Sequence, residues 1–334
     1  MKEYKKMKVF EPTLSASKIA YQIEAMKILN SNKKVILKYV NTLKKMNSFP
    51  KELDYITSFY DKKTGSSGCF FENKKNNQYI LAYSGTNPYA DLLKDMETNI
   101  YDIALGQGAH YNVCFKFYSR LRKKYGENIV LTGHSLGGNI VQRVAIEYNV
   151  KKSVIYNSAP LYIENGVEIF MKKNEENFPL YKKRIKRYKK NKQNIENKIS
   201  SFTGVIIHIS SEEDILNKML SKLNTNAVFC HKRYIIKNAG KHTIKALSKN
   251  NSDIIKKIVD GKLENDKRIE KNYKCDAEHI DRKKEELKKG SINEKASLEY
   301  FTSLFLEKPA VLDFMDGIFS DIEISQFIKK MLKW

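Results

Sequence analysis

Apolar residues recur at helical spacing in the first fifth of the chain: Ile19, Ile23, Met26 and Ile28, then Val35, Ile36, Tyr39 and Leu43. This spacing predicts two helices within residues 15–48, with Ser15 as the cap of the first. From Cys69 the period shortens. Cys69-Phe70-Phe71-Glu72-Asn73 and then residues 78–83 are aromatic and branched runs bounded by Gly, Ser and Asn, which predict two strands joined by a hairpin near residues 74–77. Helices are expected near residues 90–103 and 111–124. After them, the short apolar run 128–132 enters Gly133-His134-Ser135-Leu136-Gly137-Gly138 and then an apolar-periodic helix through Val141, Val144 and Ile146. Residues 153–156, 204–209 and 227–236 complete a set of core strands. Alternation of β and α elements over residues 70–247 argues an α/β fold, a mostly parallel sheet covered by helices on both faces.

Three stretches depart from this pattern. Residues 171–200 hold 11 Lys+Arg against 3 acids and read as a basic helical insertion beginning at about residue 163. The densely charged stretch 251–290 reads as a solvated helix. Residues 296–334 turn apolar again and are expected to pack as helices. The division this suggests is an N-terminal helical segment (1–68), an α/β core with the insertion (69–250) and a C-terminal helical extension (251–334).

Composition narrows the class. Of 334 residues, 41% are hydrophobic, including 16 Phe and 20 Tyr, enough for a sizeable core. No run approaches the ~18 apolar residues of a membrane span, and the basic N-terminus lacks the apolar segment of a signal peptide. The expectation is a cytoplasmic protein, or one exported by a non-classical route. Cys69, Cys114, Cys230 and Cys275 stand far apart without a CxxC pair, so neither a zinc site nor a disulfide framework is indicated. The net charge of +23 fits an anionic membrane surface or another polyanion, but a Lys- and Asn-rich chain also acquires such charge through genome base composition. No nucleic-acid signature accompanies it.

The sharpest chemical signal is Gly133-x-Ser135-x-Gly137 between a predicted strand and a predicted helix, the setting of a nucleophile elbow. The amide of Leu136 then points toward a developing oxyanion. A serine hydroxyl needs a base and an orienting acid, which follow it in the order Ser, Asp/Glu, His. Glu212, Glu213 and Asp214 end a core strand; Asp214 is favoured because an apolar Ile-Leu resumes directly after it. Among the later histidines, His231 falls inside a predicted strand and His279 in the charged stretch. His242 lies in a loop with Gly240 before a helix, where a base can reach the serine. His134, within the elbow, is expected to pack behind the nucleophile, and His208 to lie in a strand.

The runs YILAYSGTNPYADLL, GHSLGG, VIYNSAP, HISSEEDIL and KHTIKAL together resemble the class 3 (fungal-type) lipase family, particularly its bacterial lipase-like members. This resemblance, over about residues 69–247, implies an α/β-hydrolase-type fold and hydrolysis of lipid esters by Ser135, Asp214 and His242. It further implies that Thr86, ending Tyr83-Ser84-Gly85-Thr86, joins Leu136 in the oxyanion hole. Where the family usually carries Arg, this chain has Ser84. The triad needs no metal or organic cofactor. Competing expectations are a small-ester esterase, thioesterase or acyltransferase on the same scaffold, and a membrane-binding or interaction protein that keeps the fold without turnover. Finally, Lys182, Lys183, Arg184, Lys186 and Arg187, interspersed with Leu180, Tyr181, Ile185 and Tyr188, suggest a lid or an amphipathic membrane-docking surface.

Overall fold

The computed structural model describes residues 10–85, 106, 108–164, 167, 178–214, 227–229, 232–263 and 266–274. Helices α1 (Pro12–Ile28) and α2 (Lys33–Lys45) precede strands β1 (Leu53–Tyr60), β2 (Ser67–Asn73) and β3 (Gln78–Tyr83). Helix α3 (Ala109–Tyr125) leads to β4 (Ile129–His134), α4 (Leu136–Tyr148), β5 (Lys152–Tyr156) and the short β6 (Tyr162–Ile163). Then come α5 (Phe178–Ser200), β7 (Val205–Ser211), β8 (Ala227–Val228) and β9 (Lys232–Ile236), followed by α6 (Ile244–Ser248), α7 (Ser252–Val259) and β10 (Ile269–Lys274).

Eight strands form one sheet in the order β1-β2-β3-β4-β5-β7-β9-β10. The five from β3 to β9 are parallel to their neighbours, while β1, β2 and β10 are antiparallel at the two edges. Parallel strands need covering on both faces, and the side-chain alternation supplies an apolar set to each. Phe70, Leu81, Tyr83 and Leu131 share one core with α3, α4 and α5. Cys69, Phe71, Ile80 and Ala82 share the other with Ile19, Ile23 and Met26 of α1 and Ile36 and Tyr39 of α2. A third cluster joins Val154, Tyr156, Ile207, Ile209, Tyr234 and Ile236 to α6 and α7.

Several expectations change. Ser15 does not cap α1. Glu11 does, with extended backbone (φ −100°, ψ 123°) and a carboxylate that accepts from the amides of Thr13 and Leu14. Pro12 at the first helical position has no N–H to satisfy, and a carboxylate suits the positive end of the helix dipole. Ser15 instead donates its hydroxyl back to the Glu11 carbonyl at 2.9 Å. The N-terminal segment expected to be helical contains β1, an edge strand with a register shift between Tyr55 and Thr57. Residues 227–236 are two strands and not one: β8 pairs with β6 in a separate two-stranded sheet, and β9 joins the main sheet. In the charged stretch, α7 buries Ile254, Ile255, Ile258 and Val259 while its lysines face outward, and β10 adds an edge strand. The expected helices at 90–103 and beyond 296 lie outside the described residues.

The basic helix α5 is present, but it is pinned to the body of the protein. Tyr188 and Ile195 are buried, and Tyr181, Ile185 and Ile199 pack on the first core. Tyr188 donates its hydroxyl to the Ile163 carbonyl (2.8 Å), Tyr162 donates to Glu196 (3.1 Å) and Lys192 pairs with Glu164 (2.5 Å). Of the apolar residues expected to face a membrane, Tyr181, Ile185 and Tyr188 thus face the core, while Leu180 is exposed. Lys182, Lys183, Lys186 and Arg187 are exposed and Arg184 is half-buried.

The Glu11 cap also ties α1 to the sheet, because Tyr156 donates to its carboxylate at 2.9 Å within a buried cluster that includes the Thr13 hydroxyl. Loss of an N-cap side chain costs ~1 kcal/mol and leaving its buried partners unsatisfied costs about 1–3 more. Glu11→Ala is therefore expected to lower the unfolding free energy in urea by roughly 2–4 kcal/mol. A loss below about 0.5 kcal/mol would show that water replaces the carboxylate.

Candidate active site

The site lies at the carboxyl ends of the parallel strands, where an open α/β sheet offers its crevice. At the end of β4 the chain turns sharply into α4 through Ser135, whose backbone takes φ 57° and ψ −125°. A non-glycine residue held there is strained. The conformation is fixed by hydrogen bonds: the Ser135 amide donates to the Tyr156 carbonyl (3.1 Å), and the Ser135 carbonyl accepts from Gly138 (3.0 Å) and Ala159 (3.1 Å). The turn closes only because Gly133 lacks a side chain, since a Cβ there would sit 2.4 Å from the Gly137 carbonyl oxygen. Ser135 Oγ is thereby presented beside the N-terminus of α4, where Leu136 carries one of the amides that no helical carbonyl can accept.

Two loops bring the other groups. Beyond β7, Asp214 is fully buried and its amide donates to the Ser211 carbonyl at 3.2 Å. Beyond β9, residues 237–243 lead into α6, whose cap Thr243 accepts from the Ala246 amide at 3.1 Å. His242 immediately precedes that cap. Its Nδ1 lies 3.0 Å from Asp214 Oδ2 and its Nε2 lies 3.0 Å from Ser135 Oγ. A proton on Nδ1 donated to the carboxylate leaves Nε2 as the acceptor for the serine hydroxyl. Glu212 is exposed and Glu213 only partly buried, and the carboxylate that meets His242 is that of Asp214.

The remaining histidines have other surroundings. His134 is buried behind the elbow, as its place in the motif predicted. His208, inside β7, accepts from the Ser158 amide at 3.0 Å and supports the loop after β5. His110 is also buried. His231 and His279 lie outside the described residues, and so does Thr86, the second expected oxyanion donor. Ser84, in place of the usual arginine, is buried and accepts from the Ser67 hydroxyl at 2.8 Å. Cys69 and Cys114 are buried free thiols. Two residues near the site were not singled out beforehand, Tyr21 and Asn157. Asn157 had a signal, since an asparagine directly after a core strand is suited to the left-handed backbone it adopts here (φ 40°). Tyr21 had none, because a tyrosine on an apolar helix reads as core.

Burial, with the adjacent His242, pushes His134 down to about 3, and burial beside Arg143 pushes His110 down to about 4. Both are therefore neutral when folded, whereas an unfolded histidine titrates near 6.5. Below pH 6.5 the unfolded chain binds protons that the folded protein refuses. Their stabilisation is thus complete above pH 6.5 and is lost as pH falls toward 4 and 3. Urea unfolding between pH 6.5 and 5 is expected to weaken more steeply in the native protein than in His110→Gln, by up to about 1.4 kcal/mol per pH unit. Parallel slopes would mean that His110 is protonated in the folded state.

Residues 42–191 match a phospholipase-like family described as the Tle-like phospholipase domain. The match takes in Ser135 and stops short of Asp214 and His242. The extracellular phospholipase A1 of Serratia liquefaciens is 29% identical over 103 residues, which is 30% of each chain. The chain thus spans about a third of the length of that relative. Among known structures, lipase II of Rhizopus niveus aligns over 67% of this chain and 78% of its own at 11% identity (TM-score 0.41). The triacylglyceride lipase of Rhizomucor miehei aligns over 67% and 77% at 13% identity (TM-score 0.41). The elbow at Ser135 lies inside the segment, residues 42–191, that is similar to the Tle-like phospholipase domain.

Proposed function

We propose that the protein hydrolyses carboxylic esters of lipids, phospholipids foremost, through a covalent acyl-enzyme on Ser135. The observation that carries this reading is the pair of 3.0 Å contacts that aligns Asp214, His242 and Ser135 in one line. In the first half-reaction Ser135 Oγ attacks the ester carbonyl carbon while its proton passes to His242 Nε2. Asp214 takes no proton; it holds the ring by Nδ1–H and stabilises the imidazolium. The tetrahedral oxyanion receives the Leu136 amide and, in this reading, that of Thr86. Collapse expels the alcohol, which leaves with the proton from Nε2. In the second half-reaction water gives a proton to His242 and attacks the acyl carbon; the bond to Ser135 Oγ then breaks, His242 returns its proton to Oγ, and the fatty acid is released. The substrate class is taken from the phospholipase-like domain, and from the description of the Serratia relative as a phospholipase A1.

We further propose that the exposed basic face of α5, with Lys182, Lys183, Arg184, Lys186 and Arg187, draws the protein to anionic lipid surfaces. Since Tyr181, Ile185 and Tyr188 are committed to the core, the attraction is electrostatic and not insertion of an amphipathic helix. Among the described residues, no helix is long and apolar enough to cross a membrane.

Removing the nucleophile of a triad that acts as a unit abolishes its contribution. Ser135→Ala is expected to lower ester turnover by at least about three orders of magnitude and to end labelling by a fluorophosphonate. His242→Ala and Asp214→Asn are expected to be similarly impaired, with Glu212→Gln and Glu213→Gln within about tenfold of the native protein. More than about a tenth of the activity left in Ser135→Ala would refute the covalent route. Fatty acid released from purified phospholipids and triglycerides then separates a phospholipase from a general lipase.

For α5, binding to vesicles containing phosphatidylserine is expected to rise with the anionic fraction and fall in high salt. It is also expected to weaken severalfold when the five basic residues are neutralised, with hydrolysis of soluble short-chain esters unchanged. Equal vesicle binding by the neutralised variant would remove α5 from the docking surface.

A further inference from the structure

Behind the triad, a line of side chains that hydrolysis itself does not use converges on the backbone of His242. The carbonyl oxygen of His242 lies 2.8 Å from His134 Nε2 and accepts from Asn157 Nδ2 at 2.7 Å. A carbonyl can only accept, so the proton of the neutral His134 ring is on Nε2 and its Nδ1 is an acceptor. The Tyr21 hydroxyl, from helix α1, stands 2.9 Å from that Nδ1 and is its donor. The same hydroxyl is 3.3 Å from the His134 carbonyl oxygen.

The line has no slack. The Tyr21 ring meets His134 edge-on at 5.9 Å, and His134 is tilted against the His242 ring at 5.0 Å. A Cβ on Gly85 would lie 2.5 Å from the Tyr21 hydroxyl and 2.8 Å from the His134 carbonyl oxygen, so the end of β3 is packed flush against this point. On the other side, Asn157 is clamped to β7: its Oδ1 accepts from the Ser211 amide (2.8 Å) and its amide donates to the Ile209 carbonyl (3.0 Å). Both donors to the His242 carbonyl are therefore themselves held.

This matters because His242 sits in a loop, and the reach of its imidazole depends on where the loop backbone stands. A misplacement of about 1 Å between reacting groups can cost about a hundredfold in rate. We infer that Tyr21, His134 and Asn157 are positioning residues that fix the His242 carbonyl, making the N-terminal helix part of the hydrolytic machinery. The inference rests on the assignment of Ser135 as nucleophile and His242 as base.

The test uses the full chain, p-nitrophenyl butyrate for kcat and KM, and the second-order rate of fluorophosphonate labelling at Ser135. Tyr21→Phe removes one hydroxyl and keeps the ring; it is expected to lower kcat and the labelling rate about tenfold with KM within twofold. Asn157→Leu and His134→Phe are expected to lose about 10- to 100-fold in the same two rates. Because Tyr21 acts through His134, the double variant Tyr21→Phe/His134→Phe is expected to be no slower than His134→Phe alone. Native kcat in folded Tyr21→Phe, a loss confined to KM, or multiplying losses in the double variant would each overturn the inference. Should His134→Phe fail to fold, Tyr21→Phe alone decides by the first two criteria. A native protein that is not labelled at Ser135 would instead bring down the assignment of the nucleophile, and this inference with it. Labelling of the native protein with unaffected variants brings down the positioning alone.

Discussion

The backbone of Ser135 is held at a place in φ/ψ space that costs about 1–3 kcal/mol for a residue with a side chain. Much of the surrounding structure is what keeps it there. The Tyr156 carbonyl at the end of β5 takes its amide, and the Gly138 and Ala159 amides take its carbonyl, so the neighbouring strand and the loop after it share the restraint. The loop in turn is braced by His208 under Ser158 and by Gln142 of α4, whose side chain donates to the Ala159 carbonyl at 2.9 Å. Strain at one residue is thus spread over β4, β5, β7 and α4. The central sheet supplies rigidity, and the loops at its carboxyl edge inherit it.

Legibility from the sequence followed burial. Strands covered on both faces, such as β4 and β7, announced themselves as short apolar runs, and the elbow glycines marked a turn whose geometry tolerates no Cβ. Asp214 and His242, the carboxylate and imidazole that line up on Ser135, were legible because each sits where a core strand gives way to a polar loop. What escaped were elements at the edges and in charged surroundings. Strand β1 carries Asp54, Thr57 and Ser58 and is mostly half-exposed, so its apolar alternation is weak. Helix α7 hid four buried residues in a charged run because its polar face supplies as many letters as its core face. The 227–236 run looked like one strand because both of its parts are branched or aromatic; only tertiary pairing assigns them to different sheets. The Ser15 cap failed for a reason visible afterwards: Glu with a following Pro starts the helix four residues earlier.

The α5 insertion illustrates a limit of amphipathic patterns. Its apolar stripe and its basic stripe are both present in the sequence, and an interfacial helix and a surface helix of a globular protein carry the same pattern. Tyr188, Ile195 and the Tyr162, Glu164 and Lys192 cluster decide between them, because they commit the apolar stripe from Tyr181 onward to the protein. The positive face remains outward. A fixed cationic ridge of this kind attracts at a distance set by ionic strength, without requiring the helix to leave the core.

The partners at the site are remote in sequence: Ser135 and His242 are 107 positions apart, and Tyr21 and His134 are 113. Closing contacts over such separations is paid for in chain entropy before any reward arrives, so they form late in folding. A ribosome-bound chain that has passed the elbow therefore displays a serine with no base. Only after β9 has docked beside β7 and carried residue 242 to the sheet edge does the hydroxyl gain its proton acceptor. The order of synthesis itself thus sets an interval during which the Ser135 hydroxyl is present without its proton acceptor.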